Sequence, residues 1–184
     1  MFIQTEATPN PETLKFLPGK TVLADATRTY ISVDAADESP LAAAIFKVPG
    51  VTGVFFGYDF ITVTKSNAEW QHLKPAILGA IMEHFISGAP LLIGDQVEVP
   101  EDEFFEASDS ETVATIKELL DTRIRPAVAN DGGDITFKGF KDGVVFLTMR
   151  GACSGCPSST ATLRNGIQNL LKHFLPDVRE VRAA

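Results

Sequence analysis

Alternation and helical spacing divide the chain into two runs of elements. Phe2 to Thr5 and Thr21 to Val33 alternate apolar and polar positions as half-buried strands do, broken by Pro9, Pro11 and the Pro18-Gly19 turn. Ser39-Pro40 opens a short helix, Leu41 to Lys47, which Pro49-Gly50 stops. Val51 to Phe56 and Phe60 to Lys65 flank Gly57-Tyr58-Asp59 as a hairpin. A long helix follows from Trp70 to Ser87, where Trp70, Leu73, Ile77, Ile81 and Phe85 recur at steps of three or four before Gly88-Ala89-Pro90. The order ββαββα predicts an α+β domain over residues 1–94.

The second run starts at Ser108-Asp109-Ser110-Glu111. This is the spacing of a capping box, in which the serine hydroxyl and the glutamate carboxylate each accept an N–H at the helix start. The helix beyond it places Val113, Ile116, Leu119, Leu120 and Ile124 on one face, and Pro126 kinks or ends it. Asp131-Gly132-Gly133-Asp134 predicts a turn, after which Ile135 to Phe140 and Val144 to Met149 pair across Lys141-Asp142-Gly143. A last helix buries Leu163, Ile167, Leu170, Leu171 and Phe174, ends at Pro176-Asp177, and leaves Val178 to Val181 for a final strand. The order αββαβ predicts a second small α+β domain over residues 111–184.

Charge separates the two runs. From Asp95 to Glu111 there are eight carboxylates (Asp95, Glu98, Glu101, Asp102, Glu103, Glu106, Asp109, Glu111) and no Lys or Arg. Without them 24 − 8 = 16 acidic residues face 16 basic ones, so the net charge of −8 belongs to this segment. With Gly94, Pro100 and no sustained periodicity, residues 95–110 are expected to form an acidic flexible linker, with Phe104-Phe105 as a candidate docking motif inside it. The acidic balance argues against nucleic acid and anionic lipid, whose affinity comes from clustered Lys and Arg. No apolar run approaches the roughly 20 residues that span a bilayer. Met1 to Glu6 resembles neither a secretory signal nor an Arg-rich transit peptide, so a cytoplasmic protein is expected, or a mitochondrial-matrix one if a transit peptide has been removed.

Reactive chemistry concentrates in Cys153-Ser154-Gly155-Cys156, which contains both cysteines of the chain. Pro157 suits a first helical position, which makes Cys156 the expected N-cap and turns unpaired N–H groups and the positive end of the helix dipole toward the sulfurs. Gly151, Ala152, Ser154 and Gly155 add no bulk, so the site can stay open. Three chemistries fit: a dithiol–disulfide oxidoreductase, half of a zinc site, and half of an iron–sulfur cluster site. The last two need about four ligands, and the histidines do not supply them in cis. His173 lies seventeen residues past Cys156, about 25 Å along a helix, and His72 and His84, twelve residues apart, are roughly 120° out of register. A second copy of the chain is the simplest source of two more thiolates. Ser158-Ser159-Thr160 are expected to cap a helix and Asp131 and Asp134 to form a turn. Gly94 and Gly132-Gly133 match no phosphate loop.

Three motifs occur together: Arg125-Pro126-Ala127-Val128, Asp131-Gly132-Gly133-Asp134, and Gly151-Ala152-Cys153-Ser154-Gly155-Cys156-Pro157-Ser158-Ser159. With this joint spacing, residues from about Glu111 to Val181 resemble the C-terminal domain of the NifU and Nfu iron–sulfur scaffold and carrier proteins. Thr8-Pro9-Asn10-Pro11-Glu12-Thr13-Leu14-Lys15-Phe16 and the stretch Gly53 to Lys65 resemble the Nfu N-terminal domain. The resemblance implies that Cys153 and Cys156 ligate a labile 4Fe-4S cluster shared between two protomers in a cluster-dependent homodimer. It further implies receipt from upstream cluster assembly machinery and delivery to apo iron–sulfur client proteins, with no enzymatic activity. A thiol–disulfide oxidoreductase attacking through Cys153 ranks second and a structural zinc dimer third.

Overall fold

The computed structural model describes all residues except 25, 94–102, 153–156 and 184, together with the side chains of 157–159. Two compact units divide the chain, Met1–Val97 and Glu98–Ala184, and both are α+β.

In the first unit, β1 (Gln4–Ala7), β2 (Thr13–Leu17), β3 (Arg28–Tyr30), β4 (Val51–Phe56) and β5 (Ile61–Lys65) form an antiparallel sheet in the order β1-β2-β5-β4-β3. Helices α1 (Pro40–Phe46) and α2 (Trp70–Ser87) share its core, in which Phe16, Phe56, Leu41, Ile45, Ile61, Ile77 and Ile81 are completely buried. Ser39 caps α1 as its position before Pro40 predicts, its Oγ accepting the Ala42 N–H at 3.2 Å. Gly88, with φ of 68°, ends α2 in the left-handed conformation.

Three strands precede α1, whereas the sequence pattern predicts two. The added strand, β2, is inside the sheet, and its polar residues are buried rather than turned to water. Thr13 shares a 2.9 Å hydrogen bond with the Thr64 hydroxyl, while Lys15 lies 3.8 Å from the Glu6 carboxylate and 4.7 Å above the Phe60 ring. A buried, paired lysine erases the alternation that marks a half-buried strand. Conversely, among the described residues the long Thr21 to Val33 run pairs in the sheet only over Arg28–Tyr30. Its start is held irregularly, by Val22 and Leu23 N–H groups donating to the Tyr58 carbonyl at 2.7 and 3.2 Å.

The second unit contains α3 (Ser110–Leu119), a π-helical turn (Leu120–Ile124), α4 (Arg125–Asn130), β6 (Gly133–Lys141), β7 (Val144–Gly151), α5 (Pro157–Phe174) and β8 (Glu180–Ala183). The sheet order is β6-β7-β8, antiparallel between β6 and β7 and parallel between β7 and β8, so α5 supplies the crossover a parallel pair requires. Ile116, Leu120, Ile135, Val145, Leu147 and Leu171 fill the core. The predicted apolar face of α3 is buried throughout. The hairpin turn carries positive φ at Asp142 (51°) and Gly143 (77°), as a two-residue turn between twisted strands demands.

Three expectations are refined here. The capping box does not form, because a 3-10 turn over Ala107–Asp109 shifts the helix start to Ser110, and Asp109 makes no side-chain cap bond. Of the two outcomes expected at Pro126, a kink or an end, the helical run is interrupted rather than ended: a π turn precedes the proline and α4 restarts with it in its first turn. Finally, Glu103 to Ser108 are exposed, but this part of the expected linker is tied to the sheet at one point. Phe104 bridges to Gly139 of β6, its N–H donating to the Lys138 carbonyl at 3.2 Å and its carbonyl accepting from the Phe140 N–H at 2.8 Å. Residues 95–102 of the expected linker lie outside the described residues.

Candidate functional site

β7 delivers the chain to the cysteine loop and α5 receives it. Cys153 and Cys156 themselves lie outside the described residues, as do the side chains of Ser158 and Ser159; their frame is described on both sides. On the strand side, β7 ends at Gly151 with φ of 68°, a conformation that disfavours side chains, and Ala152 is buried. The Ala152 N–H donates to the Gly132 carbonyl at 3.2 Å, which ties the end of the strand to the Asp131-Gly132 turn. On the helix side, Pro157 is the first residue of an 18-residue helix.

Register brings the separate sequence motifs together. Gly133 lies opposite Gly151 and Asp134 opposite Arg150, so the Asp-Gly-Gly-Asp motif stands beside the start of the cysteine loop. Asp134 is not a turn former. It is the second residue of β6, buried, and its two carboxylate oxygens accept from Arg125 Nε at 2.9 Å and Nη2 at 3.0 Å. Oδ1 also accepts the Ile135 N–H at 2.8 Å, and Arg125 Nη1 reaches Asp121 at 3.2 Å. The hydrogen bond to Asp134 raises the Arg125 pKa against the opposing effect of burial. This fork-to-fork pair ties α4 to the strand that flanks the loop. Its local sequence signal is an aspartate at the head of an alternating run, nine residues after an arginine.

The histidines fall apart. His72 and His173 are exposed, whereas His84 is buried edge-on to Phe85 at 5.4 Å, and burial lowers its pKa from 6.5. Among the described residues no group of three or more His, Cys, Asp or Glu could hold a metal ion. No helix of the described residues is long and apolar enough to cross a membrane.

Fold and loop define a class: a small α+β domain that presents a CxxC between a strand end and a helix start, preceded by a second α+β domain. Comparison with known proteins gives the family. Residues 3–88 match the family described as "Scaffold protein Nfu/NifU N terminal", and residues 116–182 match the "NifU-like domain". The human protein named "NFU1 iron-sulfur cluster scaffold homolog, mitochondrial" is 54% identical over 183 residues, covering 98% of this chain and 71% of that protein. "NifU-like protein 4, mitochondrial" of Arabidopsis thaliana is 52% identical over 184 residues, covering 98% of this chain and 65% of its own length. A solution structure of a NifU-like protein from Saccharomyces cerevisiae aligns at 27% identity with a TM-score of 0.46, over 52% of this chain and 87% of that one. The chain belongs to the Nfu/NifU scaffold-protein family.

Proposed function

We propose that this protein is a non-enzymatic carrier of iron–sulfur clusters. Two copies hold a labile 4Fe-4S cluster as cargo, each contributing Cys153 and Cys156, and surrender it to apo proteins whose thiolates compete for the iron. The observation that carries this reading is the joint one: both family domains span nearly the whole chain, and its two cysteines stand together in the loop whose flanking strand the Arg125–Asp134 pair braces. One chain supplies half of the four ligands a cluster takes, and half a set per protomer suits release as well as capture. The positive end of the α5 dipole, at Pro157, and the small residues around the thiols in the sequence favour an anionic cluster.

Residues 111–184 are the cluster-binding domain in this reading, and residues 1–94 a module that recognises clients or the upstream assembly machinery, joined through the acidic segment 95–110. The mitochondrial relatives fit the matrix branch of the compartment expectation better than the cytoplasmic one.

Anaerobic reconstitution with iron and sulfide tests the proposal, with metal and sulfide per chain and oligomeric state measured together. Cluster-dependent dimerisation is expected, lost in Cys153→Ala and in Cys156→Ala. A colourless monomer that reduces disulfides catalytically would instead make this a thiol–disulfide oxidoreductase.

A further inference from the structure

Among the described residues, no strand lies beside the outer edge of β6 in the three-stranded sheet. Such an edge is a template for another extended chain unless it is covered. Two of its N–H groups find acceptors away from β7: that of Ile135 donates to the Asp134 carboxylate, and that of Phe140 to the carbonyl of Phe104. Phe104 stands in a parallel bridge opposite Gly139. The absent side chain at 139 is what admits it, since a Cβ there would fall 2.4 Å from the Phe104 ring. The ring then leans on Phe146 at 5.2 Å, Phe105 meets Phe137 at 6.4 Å, and Glu103 pairs with Lys117, whose ammonium lies 5.5 Å over Phe137.

The segment is a shallow occupant. Among the described residues one bridge holds it, and Phe104 and Phe105 remain 42% and 41% exposed. Toward the N-terminal end of β6 the edge continues into a cavity of about 180 Å³, whose lining includes Glu103, Lys117, Asp121, Arg125, Thr136 and Phe137. The Thr136 hydroxyl is buried without a hydrogen-bond partner. Beyond it lie Asp134 and Gly133, beside the start of the cysteine loop.

We propose that the β6 edge is a β-addition site for an extended acidic–aromatic segment of a partner protein, and that residues 103–105 are its built-in competitor. The chain's own segment displays the chemistry the edge selects: a carboxylate for Lys117, an aromatic ring over Gly139, a second against Phe137, and backbone pairing in the parallel sense. A longer partner strand carries on past the bridge. Its residues before the aromatic pair run along the cavity, where Thr136 offers an unused hydroxyl, and approach the cysteine loop six residues from Gly139, about 20 Å along the strand. Docking there sets a partner beside the loop without occupying it. This partner class goes beyond the carrier reading, and its test needs no cluster, so either can fail alone.

The probe is a fluorescent peptide Asp-Glu-Phe-Phe-Glu-Ala, the sequence of residues 102–107, titrated against the full chain and read by anisotropy. The unaltered protein binds it weakly, because a tethered competitor acts at high effective concentration; Phe104→Ala tightens binding by about tenfold or more. Adding Gly139→Val to Phe104→Ala abolishes binding. That double variant keeps its fold by circular dichroism, since the atoms nearest a Cβ at 139 all belong to the removed ring. Lys117→Glu in the Phe104→Ala background weakens binding without touching the edge backbone, a peptide with both phenylalanines changed to alanine does not bind, and amide shifts concentrate at Thr136 to Phe140. The proposal is overturned if Phe104→Ala binds no better than the unaltered chain, or if Gly139→Val leaves binding intact. Self-association of the Phe104→Ala chain through β6 in place of peptide binding also overturns it, by making a second copy the occupant.

Discussion

The two units bury polar groups in different places. In the first they sit at joints of the scaffold: the Thr13 and Thr64 hydroxyls link β2 to β5, Asn10 accepts the Glu12 N–H at 3.0 Å in the turn before β2, and Ser39 caps α1. Tyr30 belongs to the same set. Its hydroxyl donates to Glu38 at 2.8 Å, and burial, followed by that carboxylate, pushes its ionisation up. In the second unit the buried carboxylate, Asp134, stands where β6 runs beside the cysteine loop, and it answers to an arginine from α4. Polar burial therefore fastens a sheet in one unit and frames the loop that carries the chemistry in the other.

The strongest way to break this comparison is to attack the cores separately. Ile61 and Leu147 are fully buried in core clusters that share no residue. Ile61→Ala and Leu147→Ala should each destabilise by about 3 kcal/mol, through lost transfer energy and a residual cavity. Calorimetry should resolve two transitions, with each variant lowering one. A single transition that both variants lower together would mean that the units do not unfold independently.

A smaller effect sharpens the contrast. Asp134→Ala strips the Ile135 N–H of its acceptor and leaves the Arg125 guanidinium to Asp121, an expected loss of about 2 kcal/mol confined to the second unit. Thr13→Val removes one hydrogen bond between hydroxyls, about 1 kcal/mol, from the first. Reconstituted Asp134→Ala should also lose its cluster faster, followed by visible absorbance after chelator is added, while Thr13→Val should not. Equal rates in the two variants would reduce the Arg125–Asp134 pair to a fold brace.

What is legible in the sequence depends on where charge is buried. The α2 stripe, the α3 face and both hairpins follow from spacing, because in them apolar residues point in and polar ones point out. β2 escapes the pattern because Lys15 points into a paired, apolar environment, and Asp134 reads as a turn residue because its partner is nine positions away on another element. The docking of Phe104 is foreshadowed only as a motif in an acidic segment. What admits it is the missing Cβ at Gly139, a long-range fit that no local window contains. The cysteine pair is plain in the sequence, and the frame around it becomes clear only when register places Gly133 opposite Gly151.

The smallest expected effect concerns pH and again separates the units. Burial alone lowers the pKa of His84 from its ordinary 6.5, so just below pH 6.5 the unfolded chain binds a proton that the folded unit refuses. Where the unfolded state holds more protons, stability falls as pH falls; the first unit should therefore weaken from pH 7 toward about pH 5. The sign is fixed by the neutral histidine being the buried form. His84→Gln removes this titration and should flatten that slope in urea unfolding followed at the first unit, leaving the second, whose single histidine is the exposed His173, unchanged. An unaltered slope would place the acid sensitivity in the carboxylates, and His84 would then be a packed edge of α2 with no part in the pH response.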